Sequence, residues 1–355
     1  MPSWENNVRR VVPYTPGEQP KDKNIIKLNT NENPYPPSPA VAEALKKSDA
    51  QSLRLYPDPA ASELVSAIAK YEGLPEDQVF VGVGSDDVIA MSFMTFFASG
   101  RPILFPDISY SFYEVWADML RIPYEAKALD EDFKIRPRDY FCESGGIIFP
   151  NPNAPTGILM SIDSVREILE HNRDVVVIVD EAYIDFADDV EAASAKGLIS
   201  EYENLLVVRT FSKSRSMAGM RIGYAMGSAK LIKYLSDVKY SFNSYTMSRV
   251  SIEAGAAAIS DDAYFQKTRE QIIKTRERAA QALKELGFTV LKSSSNFLFA
   301  SHKSVPARQL FKDLREAGII VRYFDKPRID NYLRITVGTD EQMNALLRFL
   351  RTYLA

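Results

Sequence analysis

From Pro57 onward, short apolar runs alternate with segments whose apolar residues recur at helical spacing. The runs have the length of buried strands and the spaced segments read as amphipathic helices. In chain order the pattern predicts helix ASELVSAIAKYEG, strand QVFVGVG, helix DDVIAMSFMTFFAS, strand RPILF, helix YSFYEVWADML and strand IPYEAKAL. Strand GGIIFP, helix SIDSVREILEHN and strands DVVVIVD, NLLVVRT and RIGYAMG follow. Strands interleaved with helices argue for an α/β fold: a large domain whose mostly parallel sheet is flanked by helices on both faces. Ligands of such sheets bind beyond the carboxyl ends of the strands, so the chemistry is expected just after them.

After about Tyr245 the pattern changes. A long charged helix, DDAYFQKTREQIIKTRERAAQALKELG, is expected to close at Gly287 as its C-cap. Strands TVLK and NFLFA, helix ARQLFKDLREAG, strands IIVRYF and YLRITVG and a final helix then make a smaller α+β domain. Ahead of both lies a stretch rich in proline, asparagine and glycine, VVPYTPGEQP and LNTNENPYPPSP. Proline removes donors and fixes φ, so this reads as an extended arm. Tyr14, Ile25, Ile26 and Leu28 make it too apolar for a free tail, and it is expected to lie over the rest. The expected divisions are the arm at 1–40, the large domain at 41–245 and the small domain at 246–355.

Composition narrows the function. The 355 residues are 46% hydrophobic and 25% charged, which excludes a disordered or collagen-like chain. A net charge of −4 without a long basic tract argues against nucleic acid as a partner. Cys142 is the single cysteine, so no intrachain disulfide forms and a reducing cytoplasm fits. With only His171 and His302, a histidine-rich metal site is not expected. The opening MPSWENNVRR has no apolar run behind it, and VVVIV has strand length, so neither a secretory segment nor a membrane span is expected.

Four clusters carry candidate chemistry. The turn GVGSDD, Gly82 to Asp87, leads a strand into a helix, and the free N–H groups of Ser85 and Asp86 would hold a phosphate. Its spacing has Asp87 where a dinucleotide fingerprint needs a third glycine, and a tight turn alone explains it about as well. NPNAPTG, Asn151 to Gly157, fixes an irregular loop with exposed amides. DEAYIDF places Asp180, Glu181 and Tyr183 at the end of a buried strand, where a carboxylate needs a cationic ring nitrogen, an arginine or backbone donors. RTFSKSRSMAGMRIGYAMG sets Lys213 among small hydroxyl residues, with Thr210, Ser212 and Arg221 suited to a phosphate monoester. An anion cradle, a carboxylate, a phenol and an amine are the groups that a pyridoxal 5'-phosphate enzyme needs.

These motifs, with LNTNENP, LYPDP and YLRITVGT, resemble the fold-type I, aspartate-aminotransferase-like proteins over nearly the whole chain. Among the class-II pyridoxal-phosphate-dependent aminotransferases the resemblance is nearest to the histidinol-phosphate aminotransferase branch. It implies transamination between L-histidinol phosphate and 2-oxoglutarate, giving imidazole acetol phosphate and glutamate in histidine biosynthesis. It also implies that Lys213 carries the cofactor as a Schiff base, Asp180 holds the pyridine nitrogen, Tyr183 bonds the ring oxygen and Tyr110 stacks on the ring. Ser85, Asp86, Thr210, Ser212 and Arg221 would hold the cofactor phosphate. Tyr56 would reach the phosphate in a neighbouring subunit, making a homodimer with shared sites. Arg334 and Arg322 would take the substrate phosphate, with surface ion pairing as the alternative for each. Tyr14 and the Asn31–Asn33 stretch would close over the substrate.

The sequence departs from the family at Ala154, where relatives carry the asparagine that contacts the ring oxygen; Asn153 is the expected substitute, or Tyr183 acts alone. Two readings in the same branch, a threonine-phosphate decarboxylase and an aromatic aminotransferase, share the cofactor apparatus. A non-enzymatic phosphate- or nucleotide-binding protein built on GVGSDD leaves DEAYIDF and TFSKS unexplained.

Overall fold

Residues 3–20 and 24–355 are described by the computed structural model, so 1–2 and 21–23 of the expected arm lie outside the described residues. The elements run β1 (Ile26–Lys27), α1 (Pro39–Lys47), α2 (Ser62–Glu72), β2 (Val79–Gly82), α3 (Ser85–Phe96), β3 (Ile103–Pro106), α4 (Phe112–Leu120) and β4 (Tyr124–Lys127). Then come β5 (Gly146–Pro150), α5 (Ile162–Glu170), β6 (Val177–Asp180), the single turn α6 (Val190–Ala193), β7 (Leu205–Thr210), β8 (Gly223–Gly227), α7 (Ala229–Phe242) and α8 (Arg249–Ser260). The chain closes with α9 (Asp262–Glu285), β9 (Phe288–Val290), β10 (Phe297–His302), α10 (Ala307–Glu316), β11 (Ile319–Ile320), β12 (Arg322–Tyr323), β13 (Leu333–Thr336) and α11 (Asp340–Leu354).

Seven strands form the main sheet in the order β2-β8-β7-β6-β5-β3-β4. All pairings are parallel except those of β8, which runs against both β2 and β7. The strands are nearly continuous valine, isoleucine, leucine and phenylalanine because both faces are covered. Alternate side chains divide between two cores. Ile147, Phe149, Val177, Val179, Leu205 and Val207 pack with α2, α5 and α8. Ile148, Ile178, Leu206 and Val208 pack with α3, α4 and α7. This orientation brings the carboxyl ends of β5, β6 and β7 to one edge. Because β8 is antiparallel, its start lies at that same edge, so Arg221 just before it joins the residues that follow the parallel strands.

A four-stranded antiparallel sheet, β12-β13-β10-β9, packs with α9, α10 and α11 over a separate core that includes Leu283, Leu310, Leu333 and Leu346. The long helix α9 is closed as expected by Gly287, whose φ of 88° suits a residue without Cβ.

Three details differ from the sequence reading. IIVRYF is not one strand: β11 pairs in parallel with β1, whereas β12 pairs with β13. The arm is therefore stitched into the C-terminal part, and Leu28 joins its core. Helices α1, α7 and α8 were absent from the pattern. Finally, Ile252, Ala254 and Ala258 of α8 lie in the core with α2, although the expected division at 245/246 assigns that helix to the small domain.

Candidate active site

Two adjoining cavities, of about 370 and 530 Å³, open where the main-sheet edge faces the arm and β12-β13, and they share Thr30, Tyr110, Ala154, Tyr183 and Lys213. A larger groove of about 880 Å³ elsewhere contains none of the candidate residues.

The smaller cavity collects most of the expected cofactor residues: Ser85, Asp86, Tyr110, Asp180, Tyr183, Thr210, Ser212, Lys213 and Arg221. Lys213 follows β7, half-buried, and its Nζ donates to the Thr30 carbonyl at 3.2 Å. Asp180 ends β6 and is only 4% exposed. The Tyr113 hydroxyl donates to its Oδ2 at 2.8 Å, and the Ala182 N–H donates to Oδ1 at 3.2 Å. No cationic side chain among the described residues pairs with it. Burial pushes its carboxyl up to about 6, against the lowering effect of those two donors. A buried carboxylate with donors but no counter-charge, in one cavity with a lysine, fits a cationic ring nitrogen.

At the other end of the cavity Gly84 takes φ 88°, and a Cβ there would stand 2.4 Å from Arg221 Nη2. Glycine thus lets the start of α3 and the guanidinium approach one another. Arg221 is anchored to Asp86 at 3.1 Å, and Asp86 accepts from the Tyr110 hydroxyl at 2.6 Å. Thr210 and Ser212 bond each other at 3.0 Å beside them. The helix start, two hydroxyls and an arginine form an anion cradle that fits a phosphate monoester.

The larger cavity takes in Tyr14, Arg322 and Arg334. Tyr14 stacks on Phe112 at 4.2 Å. Arg322 and Arg334 are direct partners across the β12-β13 ladder, an arrangement of like charges that is unfavourable until an anion joins it. Arg334 Nη2 donates to the Asn29 carbonyl at 2.9 Å, while its Nε is buried without a partner. Burial draws its guanidinium below the ordinary value, and Arg322 adds to that. Neither arginine has a carboxylate partner among the described residues, contrary to the surface ion-pair alternative.

Three expected residues lie outside both cavities. Asn153 is buried, but its amide nitrogen donates to the Ile108 carbonyl at 3.0 Å and to Thr156 Oγ1 at 3.2 Å. It braces the loop, lines neither cavity, and does not replace an amide at Ala154. Asn33 also lies outside both cavities: its amide donates to the carbonyls of Lys213 and Ser214, each at 3.1 Å, so it holds the backbone of the lysine. Tyr56 is 78% exposed, stacked on Tyr245 at 4.6 Å, and lines neither of the two cavities.

Sequence reasoning missed Tyr113, in the first turn of α4 and edge-on to Tyr110 with ring centroids 5.7 Å apart, and the Thr30 carbonyl. It left Glu181 without a role. Glu181 points away from the cavity and accepts from Arg209 Nε at 3.0 Å, while Arg209 also pairs with Glu72 at 3.1 Å. This buried network ties the ends of β6 and β7 to α2.

Residues 23–350 match the model of the family Aminotransferase class I and II. A histidinol-phosphate aminotransferase from Clostridium beijerinckii is 51% identical over 352 residues, 99% of this chain and 97% of that one. One from Hydrogenovibrio crunogenus is 52% identical over 351 residues, 99% and 98% of the two chains. The fold is also that of the crystal structure of Sinorhizobium meliloti histidinol-phosphate aminotransferase in complex with pyridoxal-5'-phosphate, with a TM-score of 0.84 over 92% of this chain and 90% of that one, at 22% identity. The fold, the lysine and carboxylate in one cavity and the match along nearly the whole chain agree: this protein belongs to the class I and II aminotransferase family.

Proposed function

We propose that the two cavities form the active centre of an aminotransferase that passes the amino group of L-histidinol phosphate to 2-oxoglutarate, yielding imidazole acetol phosphate and glutamate. Members of this family work with pyridoxal 5'-phosphate, and the residues of the smaller cavity fit it. Bound there, the cofactor supplies an electron sink for the pair left when a proton leaves the carbon bearing the amino group. Lys213 Nζ holds it covalently and, once released, moves that proton. Asp180, ionised, keeps the pyridine nitrogen protonated. Tyr183 donates to the ring oxygen and Tyr110 covers the ring. The N–H groups of Ser85 and Asp86, with Thr210, Ser212 and Arg221, hold the phosphate.

The observation that carries the substrate assignment is the Arg322–Arg334 pair, two guanidiniums without a carboxylate partner among the described residues, which face the cavity of Lys213 and suit a doubly charged phosphate better than a neutral side chain. Tyr14 closes the same cavity from the arm. Exposed Tyr56 is assigned to the phosphate site of a second copy, so the working form is a homodimer with shared sites in the cytoplasm. No helix among the described residues is long and apolar enough to cross a membrane.

The test is a comparison of amino donors with 2-oxoglutarate as acceptor. Glutamate should form fastest from L-histidinol phosphate, slowly from aromatic amino acids and not from L-threonine phosphate. Carbon dioxide released from L-threonine phosphate without an acceptor would replace this reading with the decarboxylase.

A further inference from the structure

Behind the Tyr183 hydroxyl lies the carboxamide of Asn31. Asn31 is 1% exposed, and its φ of 57° is left-handed, a conformation asparagine tolerates better than most residues. Its N–H donates to Thr336 Oγ1 at 3.0 Å, and its carbonyl accepts from Asn296 Nδ2 at 2.9 Å. The Thr336 hydroxyl has one proton, and among the described residues Asn31 Oδ1, at 3.1 Å, is its only acceptor. That bond fixes which end of the carboxamide faces which neighbour. The amide nitrogen is left to face Tyr183 and donates to its phenol oxygen at 2.9 Å.

A phenol also has one proton. Because its oxygen accepts from Asn31, Tyr183 keeps that proton for another acceptor, and it has none among the described residues. The ring stands in both cavities, and Lys213 Nζ lies 5.9 Å from its centroid. Its edge rests on Phe297, with ring centroids 5.1 Å apart, so the phenol is held on two sides. Ala154, on the cavity wall, offers no side-chain donor to share the task, and Asn153 is committed to the loop.

We propose that Asn31 is a positioning residue of the active centre: by donating to the Tyr183 oxygen, it turns the Tyr183 proton into the cavity, toward the ring oxygen of the group held by Lys213. This rests on the aminotransferase reading above. Asn31 acts through Tyr183 and touches no reacting atom itself.

The experiment is a double-mutant cycle on the full-length protein loaded with pyridoxal 5'-phosphate, read from the pH midpoint of the visible absorption band and from the cofactor Kd. Asn31→Ala removes the donor. Asn31→Asp keeps the backbone preference but can only accept, so it draws the phenol proton away from the cavity, and it serves if Asn31→Ala does not fold. Without the phenol donor, charge on the ring oxygen is less well held and the neighbouring nitrogen stays protonated to higher pH. Asn31→Ala should raise the midpoint by about half a unit or more, the order of one hydrogen bond, and Asn31→Asp at least as much. In a Tyr183→Phe background neither substitution should move it further. An unmoved midpoint in the loaded single variants, or an equal shift in both backgrounds, overturns the proposal and leaves Asn31 a loop anchor. A wild-type chain that takes up no cofactor is a distinct result, and it overturns the aminotransferase reading together with this one.

Discussion

Tyr113 donates its hydroxyl proton to Asp180 Oδ2 over 2.8 Å beneath the cavity of Lys213. The donor is reliable across the working pH range, because burial and the neighbouring Asp180 hold the phenol well above its ordinary titration. It supports the ionised carboxylate that a pyridinium needs. Tyr113→Phe removes one of two donors to Asp180, and a hydrogen bond to a charged group contributes about 1.5–3 kcal/mol. Pyridoxal 5'-phosphate should therefore bind the empty variant roughly 10–100-fold more weakly, with a larger loss at pH 6 than at pH 8. Fluorescence titrations at both pH values measure this, and unchanged affinity at both would contradict it.

Asp180 itself makes the empty protein less stable. Burial pushes its carboxyl up to about 6 in the fold, from an ordinary value of 3.8, so the folded form binds a proton that the unfolded form releases. Its relative stabilisation is full below the lower value and is lost as pH rises through the upper one. Asp180→Asn stays neutral throughout and keeps the shape. Without cofactor it should be more stable than wild type by about 1–3 kcal/mol at pH 7.5 and nearly equal at pH 4. Urea unfolding of both empty proteins at the two pH values checks this, with transamination by the loaded variant expected to collapse.

Arg334 and Arg322 should separate from the cofactor apparatus in kinetics. Arg334→Ala removes charge-assisted bonds to the substrate phosphate, so KM for L-histidinol phosphate should rise roughly 10–100-fold. The visible spectrum of the loaded enzyme should stay as it was. Arg322→Ala should do the same to a smaller extent, because Arg334 still has the Asn29 carbonyl to orient it. Steady-state kinetics with the phosphorylated and unphosphorylated donors decide it: unphosphorylated L-histidinol should lose little, since it never used the pair.

The sheet was legible in the sequence because strands buried on both faces are almost wholly apolar, as in Val177–Asp180 and Leu205–Thr210. Asp180, Lys213 and Arg221 could be found because each stands out against such a run or just beyond it. What stayed hidden depended on pairing at a distance. Ile319–Ile320 and Arg322–Tyr323 read as one strand, and only the parallel partner Ile26–Lys27 pulls the first half away. Helix Arg249–Ser260 is composed mainly of small residues, and its Gly255 packs against Leu64 and Ile222, so it carried little helical signal. Tyr113, and the roles of Asn31, Asn33 and Asn153, were hidden for a related reason. Each acts through a bond to a residue far along the chain, and residue type alone does not say whether an amide or a hydroxyl faces a ligand or a backbone carbonyl.

The central claim is that Lys213 carries pyridoxal 5'-phosphate and that L-histidinol phosphate delivers its amino group there. It is tested most directly by the visible absorption spectrum of the purified protein before and after L-histidinol phosphate is added, with Lys213→Ala as control. The wild type should show a visible band that bleaches on adding the donor and returns with 2-oxoglutarate, while Lys213→Ala should lack that response and lose turnover by about 10³-fold or more. A wild type that shows no band even after pyridoxal 5'-phosphate is supplied, or a Lys213→Ala variant that turns over like it, would contradict the account.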